Sequence, residues 1–147
     1  MVKLINKKDF GQSLVEVVVS VSIAALIIVA LLIGAVVGVR NVQFSRNQSR
    51  AMELNREVSE WLRAERKLSW SQLWGRGSPG GTTYCFQGLD FSKSSPCQEG
   101  DNIDDKFFRE ATLRQENFDK LEVVVVASWQ DPMGEHNETI TTYLTKY

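Results

Sequence analysis

The chain changes its hydropathic rhythm twice. Residues 17 to 39 form an apolar run of 23 residues without a charged side chain, and polar residues return from Arg40 onward in a different pattern. Between Arg40 and Trp74, Ala51, Leu54, Val58, Trp61 and Leu62 recur at steps of three and four. That spacing lays one apolar stripe along a helix whose other face is charged. The first proline is Pro79, so the pattern predicts one helix over residues 12 to 74, 63 residues in all. Such a helix is roughly 90 Å long if straight. Gly75-Arg-Gly-Ser-Pro-Gly-Gly81 ends it, because glycine and proline supply turn conformations and deny the backbone its next bonds.

Beyond the glycines the period falls toward two. Phe107 to Leu113 alternates, Leu121 to Trp129 is rich in valine, and Glu138 to Thr145 places Ile140, Thr142 and Leu144 on one side. These are strand signatures. Asp131-Pro-Met-Gly134 has a type I turn pattern, and Gln115-Glu-Asn-Phe-Asp119 is short enough for a second hairpin. Residues 82 to 86 are a candidate edge strand. The expected fold class is therefore α+β, a long N-terminal helix packed on a small antiparallel sheet.

Averaged over 147 residues, 43% hydrophobic and 24% charged is an ordinary globular composition. The average hides two solvents. A helix of 23 residues spans about 34 Å, enough for a hydrocarbon core of about 30 Å. Membrane lipid is thus the expected neighbour of residues 17 to 39, which argues against a fully soluble enzyme. Net charge is −1, of which the first eleven residues contribute +2 and the rest −3, so no strong attraction for polyanions remains. Arg40, Arg46, Arg50, Arg56, Arg63 and Arg66 interleave with Glu53, Glu57, Glu60 and Glu65. That is the pattern of a solvated helix face, with Arg56–Glu60 and Glu60–Arg63 as expected pairs, rather than of a DNA-binding one.

Chemistry-bearing clusters are scarce. His136 is the sole histidine, too few for a zinc site with these cysteines, and neither a nucleophile–base arrangement nor a phosphate-cradling loop is present. The reading is non-enzymatic, with no cofactor and no metal. Asp101-Asn-Ile-Asp-Asp105 lacks the alternation and glycine of a calcium loop and reads as a solvated turn. Trp61, Trp70, Trp74 and Trp129 read mainly as core anchors, with an exposed sugar- or partner-binding surface as the alternative. Cys85 and Cys97 lie in a Gly/Ser/Pro-rich stretch and form a disulfide if that side of the membrane is oxidising. Closing so short a loop contributes about 3 kcal/mol.

The N-terminus carries one feature that a plain anchor does not need. Glu16 stands at the mouth of the apolar run, where an ionised carboxylate is costly without a partner. Gly11, then Gln12-Ser-Leu-Val-Glu16, then about twenty apolar residues resembles the prepilin signal of type IV pilins and type II secretion pseudopilins. The resemblance implies a leader over residues 1–11, cleavage after Gly11 by a prepilin peptidase, and methylation of the new amine on Gln12. Gln12 stands where the family usually has Phe. The resemblance also implies that Glu16 pairs with the terminal amine of a neighbouring subunit and sets register. Residues 12–39 would be the transmembrane and filament-core helix, 40–74 its amphipathic continuation, and 75–147 an extracytoplasmic domain stapled by Cys85 and Cys97.

Lysines before the span and arginines after it balance, so orientation rests on the resemblance, which puts the leader in the cytoplasm and the rest outside, in an extracellular or periplasmic filament. Gly34 and Gly38 form a G-x-x-x-G, read equally as helix packing or as mere composition. Expected partners are other pilin or pseudopilin subunits and an inner-membrane assembly platform, while DNA or a surface ligand has no support in the residues. The Trp70-Ser-Gln-Leu-Trp74 region, the cysteine pair and the C-terminal Trp129 and Tyr143 to Tyr147 are most similar to minor pilins of the pilus-modification type. The alternative is a single-pass membrane protein whose outer domain binds a partner without polymerising.

Overall fold

The computed structural model describes residues 8 to 146, with side chains from Leu14 onward. Helix α1 runs Lys8–Leu68 and α2 runs Trp70–Arg76, followed by β1 (Thr82–Cys85), β2 (Phe107–Asn117), β3 (Lys120–Asp131) and β4 (Gly134–Thr145). The chain divides into two compact units with the division between Phe44 and Ser45. The predicted helix over 12 to 74 is interrupted once, at Ser69. That residue adopts extended backbone (φ −158°, ψ 102°) and its hydroxyl accepts from the Gln72 N–H, so it ends one helix and caps the next. The break re-aims Trp70 and Trp74, whose indole N–H groups donate to the Phe118 and Asn117 carbonyls at 3.2 and 3.1 Å. No helix-period pattern carries that instruction.

In the second unit the four strands form an antiparallel meander in the order β1-β2-β3-β4. Both expected hairpins are present. β2 and β3 close at Asn117↔Lys120 after a register shift between Gln115 and Asn117, a bulge that re-aims the turn. β3 and β4 close at Asp131↔Gly134, where Gly134 takes φ 128°, a conformation that glycine adopts without a Cβ clash. These three strands are three to four residues longer than the sequence reading because the hairpins pair right up to their turns.

Residues 45 to 68 of α1 cover one face of this sheet. Ala51, Leu54, Asn55, Val58, Ser59 and Leu62 are buried, a stripe at three- and four-residue steps. Its Val58 and Leu62 share one core cluster with Ala111 and Leu113 of β2, Leu121, Val123 and Val125 of β3, and Leu144 of β4. Fully burying each Val or Leu stabilises by about 1.5–3 kcal/mol. Polar bonds fix the position of the helix: Asn55 Nδ2 donates to the Glu138 carbonyl and Gln48 Nε2 to the Glu138 carboxylate, both at 2.7 Å. Glu60 pairs with Arg63 at 2.8 Å as expected, whereas the other helix pair is Arg50–Glu53 rather than Arg56–Glu60. Arg50 is drawn into that geometry because it also holds Asp104 at 2.9 Å.

Candidate functional site

In the first unit, the large apolar side chains from Leu14 to Val42 are all 48% to 71% exposed. From Leu14 the helix is long and apolar enough to cross a membrane. Glu16 sits at the start of this surface, flanked by the exposed Val15 and Val19. The serines within the apolar run need no outside partner: Ser20 and Ser22 donate to the Glu16 and Val18 carbonyls, each at 2.8 Å. That is the usual way a helix hides a hydroxyl in an apolar setting. A Cβ built on Gly34 or Gly38 meets nothing within 4 Å, so neither glycine serves packing within the described residues. Residues 1 to 7 and the Gln12 side chain lie outside the described residues, and the backbone of Gly11 and Gln12 is helical.

The second unit is stapled where the cysteine spacing suggested. Cys85 and Cys97 form a disulfide with Cα atoms 4.9 Å apart. The Cys97 N–H donates to Glu110 at 2.7 Å and the Cys85 N–H to the Lys93 carbonyl at 3.1 Å, so the closed loop is tied to β1 and β2. Phe91 from this loop lies over Trp61, Tyr84 and Phe86 with ring centroids 4.9 to 5.6 Å apart. The loop thus closes the core at the edge of the sheet.

Sequence reading missed Arg109. It is 3% exposed, on the helix-facing side of β2, and its Nε donates to the Phe86 carbonyl at 3.0 Å. Its Nη1 donates to the Leu54 carbonyl at 3.1 Å and to Glu57 at 2.8 Å. One guanidinium therefore links α1, β2 and the start of the stapled loop. Burial lowers its pKa from the usual arginine value, and Glu57 opposes that shift. The signal was present: Phe107, Arg109, Ala111 and Leu113 share a strand face, so the alternation itself puts the arginine inside.

The acidic turn is consumed by structure. Asp104 takes Arg50, and Asp101 accepts from the Gln98 N–H and Lys93, an arrangement that lowers the Asp101 pKa chiefly through the Lys93 hydrogen bond. Among the described residues no cluster of three or more metal-ligating side chains occurs. His136 faces Asp131 at 3.0 Å and stacks on Trp129, so it serves the β3–β4 hairpin. The four tryptophans divide: Trp129 is fully buried, Trp61 and Trp70 are partly buried against the core, and Trp74 stays half-buried at the rim. No family model, curated protein or solved structure matches the chain.

Proposed function

We propose that the protein is a structural subunit, a minor pilin or pseudopilin, of a type IV pilus or type II secretion-like filament. The carrying observation is the arrangement Gly11, Glu16 and an apolar helical surface exposed on all sides from Leu14 to Val42. A surface of that extent has no place in water, and it fits lipid first and neighbouring helices afterwards. Glu16 opens this surface and Arg40 lies near its far end, so Glu16 is the one ionisable group before the uncharged run of residues 17 to 39. A carboxylate carried into such a setting costs several kcal/mol unless neutralised. The amine freed by cleavage after Gly11 on an adjacent subunit would neutralise it, and register would follow. The stapled second unit would face outward, held rigid by the disulfide and Arg109.

Intact mass and N-terminal sequencing of protein recovered from its own cell envelope test this reading. A chain beginning at Gln12, with or without an added methyl, is the expected result. A chain beginning at Met1 in cells with active prepilin peptidase overturns it and leaves the single-pass binding protein. Glu16→Ala should then be cleaved normally yet be lost from sheared filaments.

A further inference from the structure

The β2–β3 turn displays an aromatic side chain that the core does not use. Phe118 is 81% exposed at the tip of the hairpin, where a polar residue or glycine ordinarily sits. Its ring stacks on Trp74 with centroids 5.4 Å apart and planes inclined by 16°. Trp70 and Trp74 lie one turn apart on α2, and both indole N–H groups are spent on hairpin carbonyls. Gln115 Nε2 locks the other side by donating to the Trp74 and Gly77 carbonyls at 2.8 and 2.9 Å. The rings are therefore held in place before any ligand arrives, and what they leave outward is π-surface without a donor.

We infer that Trp74 and Phe118 form a binding platform for a neutral glycan, with Trp70 packed against the core behind them. Size supports that occupant over a second protein. Aromatic side chains bring about 150–250 Å² each. With Trp74 half-buried, the pair offers on the order of 200 Å², well under the ~800 Å² per partner of a stable protein interface. A pyranose presents an apolar C–H face of suitable size, which stacks on an aromatic plane while its hydroxyls point to the rim. The rim here has the matching chemistry. Asp119 flanks Phe118 and is exposed, supplying a carboxylate acceptor for vicinal hydroxyls, while Asn117, whose Oδ1 takes the Asp119 N–H at 3.1 Å, offers its amide Nδ2 as a donor. The nearby charges balance, since Lys120 is paired with Glu116 at 2.7 Å and the exposed Lys146, whose N–H donates to the Asp119 carbonyl at 2.9 Å, offsets Asp119, so no net charge draws an anionic polymer. The site lies wholly in the second unit and does not depend on the filament reading.

The test is a titration of the full chain, in a detergent without a sugar headgroup, with hexamers of β-1,4-linked glucose and of β-1,4-linked N-acetylglucosamine, read by calorimetry and by tryptophan fluorescence. Saturable binding of at least one hexamer is expected, with Kd on the order of 1 mM or tighter. Phe118→Ala should weaken it about tenfold without moving the unfolding midpoint, and Phe118→Tyr should retain it. Asp119→Ala should weaken it several-fold. Absence of saturation by both hexamers at about 10 mM overturns the proposal. So does binding that Phe118→Ala leaves unchanged, preference for a polygalacturonate hexamer, or a platform whose removal abolishes self-association instead.

Discussion

Residues 14 to 42 and residues 45 to 68 belong to the same helix by backbone, yet they obey opposite rules. In the first stretch every large apolar side chain faces outward and nothing within the described residues covers it. In the second, six positions at helical spacing are buried against a sheet and most of the remainder are charged or polar, with Met52 and Leu68 as exposed exceptions. Hydrogen bonding along the helix is indifferent to this contrast, since each backbone is satisfied internally. The side chains decide which solvent each stretch accepts. The first is long and apolar enough to cross a membrane, whereas the second carries its own sheet.

The sharpest way to break the comparison is a matched pair of truncations in the full chain. Leu62→Ala should destabilise the second unit by about 2–5 kcal/mol in denaturant melts, because it opens a cavity in a core that cannot fully collapse. Leu32→Ala should leave the same melt unmoved within about 0.5 kcal/mol, since its side chain is 61% exposed. Tryptophan fluorescence isolates the second unit, because all four tryptophans lie at or beyond Trp61. Equal shifts for both variants would erase the distinction.

Replacing Cys85 and Cys97 together with serine should cost about 3 kcal/mol by releasing the loop constraint on the unfolded chain, read in the same melt. Arg109→Met should cost on the order of 2 kcal/mol, through the carbonyls of Leu54 and Phe86 that lose a charged donor. The methionine stem keeps much of the packing. Effects of both changes on membrane association should be nil, and a measurable effect would mean that the two stretches are coupled.

The smallest expected effect is with pH. Asp101 is held below its usual pKa by Lys93 and the Gln98 N–H. Its contribution is therefore complete above the unfolded carboxylate value of about 3.9 and is lost as pH falls through the lower folded value. Amide exchange in residues 93 to 101 should quicken in that acidic window and nowhere near neutrality. Asp101→Asn should remove the dependence.

Much of this was legible in residue order. Ala51, Leu54, Val58 and Leu62 named the buried helix face, because only their spacing makes one stripe. Alternation named the inward residues of β3 and the final face of β4, and turn chemistry placed both hairpins. Cys85 and Cys97 pointed to their own pairing. Each of these rests on neighbours within a few residues, or on a period that repeats along one element.

Other features came from distant parts of the chain meeting. The Ser69 break was invisible, because the indoles it serves bond to carbonyls more than forty residues away. Arg109 read as one charge among many until Leu54, Glu57 and Phe86 converged on it. Trp74 was separable from the other three tryptophans only once the hairpin tip was in place. Local sequence determines what each segment can bury and in which solvent it is at home, because propensity and periodicity act over a few residues. Which groups become partners depends on loop closure across tens of residues, and only the packed tertiary structure decides it.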